Sequence, residues 1–205
     1  LQALSYLEKL DLSSNSLLRG TLPSSIGNMM SLTLLRLYRN KLTGTIPTEL
    51  ARLTSLSHLS LRWNGFNGTL PAEAGRLTSL TFLDLYRNRL TGTIATDFGR
   101  LTSLVSLNLD FNELTGTIPT ELGQMTSLKF LSSKVNGLTG TIPTELGRLT
   151  SLLYTLDLYK LKLTGTIPTE LGRLTSLSGL YLNINELTGT IPTTLALLTS
   201  LTNFY

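Results

Sequence analysis

Four aspartates, Asp11, Asp84, Asp110 and Asp157, alternate with leucines in short apolar segments. Two carboxylates at a defined separation, one with its pKa raised by its surroundings, are what glycoside hydrolysis requires. Asp84 and Asp110 come from adjacent segments, so such a pair could approach. An open face supplies no burial to raise either group, and perturbed groups normally sit in clefts. Other reactive chemistry is sparse. There is one histidine, His58, and no cysteine, which leaves neither a thiol nucleophile with its base nor a multi-histidine metal site. Serines recur mostly in a Thr-Ser pair at fixed register, a structural pattern. No catalytic, cofactor-binding or metal-ligating residue is assigned, and the expectation is a protein that is not an enzyme.

Recognition chemistry is richer. Arg36, Tyr38, Arg62, Trp63, Phe82, Asp84, Tyr86, Asp110, Phe111, Phe130, Tyr159 and Tyr181 all fall between or just after the leucines of those segments. Aromatic residues and arginine are the types that anchor protein interfaces, so these twelve residues form the expected partner-binding set. Aromatic pairing across neighbouring strands explains part of the same pattern. A second set is monotonous. Thr43 with Thr45, Thr91 with Thr93, Thr115 with Thr117, Thr139 with Thr141, Thr164 with Thr166 and Thr188 with Thr190 each flank a glycine, while Asn67 with Thr69 is a near match and Arg19 with Thr21 a poor one. If that segment is extended, both threonines of a pair face outward. Stacked copies would then set pairs ~4.8 Å apart, with ~6.7 Å inside each pair, on a flat face. Recent duplication and the β propensity of threonine account for the constancy equally well.

One repeating element positions both sets. Leu104 to Ser127 reads LVSLNLDFNELTGTIPTELGQMTS, and copies in phase begin near Leu7, Leu32, Leu56, Leu80, Leu104, Leu128, Leu152 and Leu177, giving eight complete repeats and partial ones at both ends. Leucines at Leu104, Leu107 and Leu109 keep the two-residue beat of a strand; Asn112 and Gly116 turn the chain, and Ile118, Leu122 and Met125 return inward. One copy cannot bury that set, but a stack can. The pattern predicts an α/β repeat fold over residues 1–205 as one domain: a right-handed solenoid with a concave parallel sheet, a shorter extended segment at LTGTIP, and turns or 3-10 helices on the convex side. Leu1, Leu4 and Leu7 are spaced as core positions.

Finer expectations follow from the repeat. Inward asparagines, from Asn15 to Asn185, satisfy loop backbone groups. Leu161 stands in their column and, with one inserted residue in the seventh repeat, predicts a local irregularity. The glycine of LTG avoids crowding or a forbidden backbone angle. Proline fixes the corner, with Ala95 as the exception. Acid–base pairs three residues apart, Glu49 with Arg52, Glu73 with Arg76, Asp97 with Arg100, Glu145 with Arg148 and Glu170 with Arg173, can meet on one turn.

LxxLxLxxN followed by LTGTIPxxLGxL resembles the plant-type leucine-rich repeat of receptor-like kinase ectodomains and polygalacturonase inhibitors, and resembles still more the regular TGTIPTELG arrays of microalgal proteins. The resemblance implies a leucine-rich-repeat solenoid whose concave sheet binds a protein partner in an extracellular or lumenal setting. It also implies paired cap cysteines, which this sequence lacks, so a segment of a longer protein, or ends covered by further repeats, caps or a partner, is expected. The threonine columns resemble the TxT faces of solenoid antifreeze proteins, which makes ice binding the alternative function. Asn67-Gly68-Thr69 is a glycosylation sequon.

Bulk properties bound the partners. Of the 205 residues 41% are hydrophobic and 15% charged, with a net charge of +4 from 17 basic and 13 acidic residues. The bases are scattered, which argues against nucleic acid. No apolar run approaches the ~20 residues of a membrane span.

Overall fold

The computed structural model describes residues 4–205; Leu1, expected in the core, lies outside them. Each repeat forms one coil. Nine short strands, Lys9–Asp11, Leu34–Arg36, His58–Ser60, Phe82–Asp84, Ser106–Asn108, Phe130–Ser132, Thr155–Asp157, Gly179–Tyr181 and Asn203–Phe204, pair in parallel and in chain order into a 9-stranded sheet. Equivalent leucines lie level: Leu10 with Leu35, Leu35 with Leu59, Leu59 with Leu83, and Leu83 with Leu107. The opposite side of each coil is a single 3-10 turn, such as Thr120–Gln124 and Thr144–Arg148. Between the two runs a second extended segment, paired from Arg19–Thr21 through Lys41–Thr45 and Gly65–Thr69 to Arg89–Thr91, and again between Thr139–Thr141 and Lys162–Thr164.

The core is one leucine column after another. Leu104, Leu107, Leu109, Leu114, Ile118, Leu122 and Met125 of the central coil are all buried, and their counterparts above and below join one continuous cluster. Each coil therefore stabilises only its two neighbours, and the outermost coils have one wet side. That corrects the expectation for Leu4, which is 46% exposed, and for Ile191, the LTGTIP isoleucine of the last full coil, which is 68% exposed.

The asparagine column works as expected. Asn112 Nδ2 donates to the carbonyls of Leu85 at 3.1 Å and Leu109 at 3.0 Å, while its Oδ1 accepts the Leu90 N–H at 3.1 Å. Leu114 and Leu163 N–H groups likewise meet Asn136 and Asn185; Leu138, between them, has buried Leu161 at the corresponding place. The inserted residue is absorbed ahead of the strand. Leu153 and Tyr154 are exposed and both donate N–H to the Lys129 carbonyl, and Thr155–Asp157 still pairs in register on both sides.

Among the described residues, the five expected acid–base pairs reduce to one, Arg100 Nε to Asp97 Oδ1 at 3.4 Å. In three of the other four turns the preceding threonine hydroxyl donates to the glutamate instead, Thr48 to Glu49, Thr144 to Glu145 and Thr169 to Glu170, as Thr120 also does to Glu121, at 3.2–3.4 Å. Such contact within one turn asks for less side-chain ordering than joining two long exposed chains.

Candidate functional site on the inner sheet face

Side chains between the leucines project from the sheet away from the core, and the structure brings members of the predicted set into contact in several groups along the face. Arg62 lies over the Tyr38 ring at 4.8 Å, and its Nε is 3.6 Å from Asp84 Oδ2. Trp63 tilts against Tyr86 with ring centres 5.8 Å apart, and Tyr86 meets Phe111 edge-on at 5.3 Å. Phe82 stacks on His58 at 4.3 Å. Toward the far end, Phe111, Phe130, Tyr159 and Tyr181 line one shallow depression together with Lys134 and Tyr205, and Tyr181 stacks on Tyr205 at 5.4 Å.

The carboxylates depart from expectation. The sheet does not leave them open: Asp84 and Asp110 are only 4% and 3% exposed. Longer side chains reach over them from the neighbouring coil, Arg62 over Asp84 and Lys134 over Asp110. Burial pushes the Asp110 carboxyl up to about 6, against the lowering effect of the Ser132 hydroxyl and of Lys134. Burial likewise raises Asp84, opposed by the Tyr86 N–H and by Arg62. The two do not form a pair with each other. Asp110 shares Lys134 with Asp157, at 3.7 Å and 3.4 Å from Nζ. Although partial burial works the other way, Asp110 and Asp157 hold the Lys134 ammonium above its ordinary value. Ser132 Oγ and the Lys134 N–H both donate to Asp110 Oδ1, so that oxygen is spent on the protein's own structure. His58 is also occupied. Burial first, and then Arg36, lower its pKa, and its Nε2 accepts Arg36 Nε–H at 3.3 Å.

One column was missed as a set. The residue before each column asparagine, and Lys160 before Leu161, has a left-handed backbone: Ser14, Arg39, Trp63, Arg87, Phe111, Val135, Lys160 and Ile184, all with φ between 52° and 61°. Here the strand ends so that the next side chain can turn inward. All but Val135 are exposed, forming a raised file along the sheet, and Arg87 stacks over Trp63 at 3.9 Å. Its signal was in the sequence: every repeat has one variable residue directly before its asparagine, or before Leu161 in the seventh.

The threonine face has its own geometry. Thr pairs are exposed, apart from half-buried Thr91. The segment is not extended throughout, because its glycines have φ of 71–78°. Neighbouring coils are also offset, so that the second threonine of one coil lies beside the first of the next: Thr117 by Thr139, Thr141 by Thr164, Thr69 by Thr91. The array is oblique where a rectangular one was expected. First-column hydroxyls of Thr115, Thr139, Thr164 and Thr188 donate to glycine carbonyls of the preceding coil at 3.2–3.4 Å.

Stacked coils of this kind, with a parallel sheet on one side and 3-10 turns on the other, define a repeat solenoid. Models of the leucine-rich repeat match residues 5–66 and again 79–101 and 103–125, and the chain belongs to the plant-type leucine-rich repeat family. No curated protein matches it in sequence. Among solved structures it is similar to the plant peptide hormone receptor RGFR1 in complex with RGF2, with 36% identity, 96% of this chain and 31% of that one covered, and a TM-score of 0.93. The Arabidopsis receptor kinase HAESA, in complex with the peptide hormone IDA and the co-receptor SERK1, is 35% identical over 97% of this chain and 33% of that one, with a TM-score of 0.93. A plant ice-binding protein is 29% identical over 94% and 69% of the two chains, with a TM-score of 0.72. The chain spans about a third of the length of the receptor chains. Among the described residues, no helix is long and apolar enough to cross a membrane.

Proposed function

We propose that the chain is a non-enzymatic recognition module, one continuous domain, that binds a protein ligand along its inner sheet face in an extracellular or lumenal setting. The observation that carries this reading is two neighbouring groups of contacting side chains, Tyr38 with Arg62 and Trp63 with Tyr86 and Phe111, in which Trp63 and Phe111 are 38% and 39% exposed. Exposed contiguous aromatic surface marks interaction sites, and a pre-ordered sheet spends little entropy when a partner docks. Similarity to receptors solved with peptide hormones supports the same choice. Asp84 and Asp110 serve this face from beneath, by holding Arg62 and Lys134 in place. Exposed Asn67 is the candidate glycan site. Replacing Trp63, Tyr86 and Phe111 by alanine should abolish ligand capture from native extract at an unchanged melting temperature; capture that survives overturns the reading.

Ice binding through the threonine face is the rival reading, supported by likeness to a plant ice-binding protein. Against it, hydroxyls of the first column already donate across the stack. Thr117→Tyr in an ice-recrystallisation assay separates the two: loss of inhibition favours the rival, and ice growth that the wild-type protein leaves unchanged removes it.

A further inference from the structure

We propose that the corner groove of the second, third and fourth coils binds a free linear alkylammonium ion, with the ammonium group on the Glu73 carboxylate and the hydrocarbon chain running along the coils toward Ala95. The groove lies outside the inner sheet face and does not depend on the reading given for that face. From the second coil on, the corner reads Pro-Thr, as at Pro47-Thr48 and Pro119-Thr120, except in two neighbouring coils. Pro71 is followed by Ala72, and Thr96 is preceded by Ala95. One coil has thus lost a hydroxyl and a methyl, and the next has lost the carbons of the proline ring. A groove of about 660 Å³ runs past both alanines. Buried Ile46, Leu70 and Pro71 give it an apolar floor, and exposed Thr69 and Thr93 also line it.

The same substitution sets Glu73 apart from its counterparts. Thr48, Thr120, Thr144 and Thr169 each donate a hydroxyl to the glutamate that follows, and Asp97 pairs with Arg100. Ala72 has no hydroxyl to give. Among the described residues, Glu73 has no side-chain hydrogen bond and no cation within ion-pair distance, Arg76 included. It is half-buried and lines the groove with Glu49, so this end of the groove is negative beside an apolar floor. An ammonium group answers the carboxylate with charge-assisted hydrogen bonds, and methylenes answer the floor. Small-molecule sites are commonly apolar hollows of this size with a few placed polar groups. From the second coil to the fourth the floor extends ~10 Å. That is about twice the reach of the four-carbon stem of lysine, so a longer free amine fits it better than a lysine side chain of another protein.

Titration of isotope-labelled protein with n-octylammonium chloride, followed by the amide NMR shifts of Leu70 and Thr93, tests the proposal. Expected are saturable shifts at those amides, and at least ~10-fold weaker binding of methylammonium, which lacks the chain, and of octanol, which lacks the charge. Glu73→Gln should weaken octylammonium at least ~10-fold. Ala72→Thr/Ala95→Pro, which restores the corner of the other coils, should do the same at a melting temperature no lower than that of the wild-type protein. Salt should weaken binding. No saturable shift, shifts confined to the inner sheet face, or binding unchanged in either variant overturns the site. Octanol binding as tightly as octylammonium overturns the role of the ammonium group, and tighter binding of Nα-acetyl-lysine amide overturns the free amine as the ligand.

Discussion

The Cγ2 methyl of Thr93 lies 2.7 Å from the point where a Cβ on Gly116 would stand, and Gly116 has φ of +76°. The same relation runs through the stack, Thr45 on Gly68, Thr117 on Gly140, Thr166 on Gly189. The second threonine of each pair therefore roofs the glycine of the next coil, and constancy in that column follows from packing. Gly116→Ala meets both obstacles at once, a left-handed backbone and a filled space. It should lower stability by at least ~2 kcal/mol in chemical denaturation, whereas Thr93→Ser, which removes only the methyl, should cost about 1 kcal/mol or less.

Ala95 occupies the corner where every other full coil has proline, with φ of −69° and ψ of 143° against −65° and 137° at Pro119. The stack holds this conformation without the ring. Ala95→Pro should thus raise stability by ~0.5–1 kcal/mol through the unfolded state alone, seen as a higher thermal midpoint with an unchanged circular dichroism spectrum.

Val135 is β-branched and sits at φ of 56°, a backbone region that such side chains enter at a cost. Asparagine tolerates it. Val135→Asn should stabilise the protein by roughly 0.5–1 kcal/mol, while the same substitution at exposed Thr126, outside the left-handed column, should not.

Asp110 gives stability a pH dependence. Its carboxyl is pushed up from 3.8 to about 6 in the folded protein, so folding favours the protonated form. The associated stability is complete below pH ~4 and is lost as pH rises through about 6, by as much as ~3 kcal/mol. Buried Asp84, also raised, adds in the same direction. Denaturation midpoints should fall between pH 4 and pH 7 in the wild-type protein and fall less in Asp110→Asn, whose remaining carbonyl oxygen can still accept from Ser132.

How far these features could be read in advance depends on whether a residue's role is repeated. Leu104, Asn112, Gly116 and Pro119 have counterparts doing the same work in all or all but one of the coils, so their spacing displayed the strand, the turn and the corner, and the coils formed accordingly. Contacts between coils were legible less well. The offset that sets Thr117 beside Thr139, and the sinking of Asp110 under Lys134, depend on how far one coil slides on the next and how tall its neighbours are, which no single repeat contains. The inner-face residues Trp63, Tyr86 and Phe111 were visible as irregularities in an otherwise constant pattern. Arg39, Arg87 and Lys160 were passed over because the left-handed turn that lifts them to the rim has no fixed residue type of its own.

Oxidative footprinting with the ligand fraction captured from native extract tests the inner-face assignment most directly. Trp63 and Phe111 are 38% and 39% exposed, and Met30, in a turn outside the strands, is 64% exposed and serves as an internal control. Saturating ligand should slow oxidation of Trp63 and Phe111 several-fold and leave Met30 unchanged. Undiminished oxidation of Trp63 and Phe111 by a bound ligand would contradict the account.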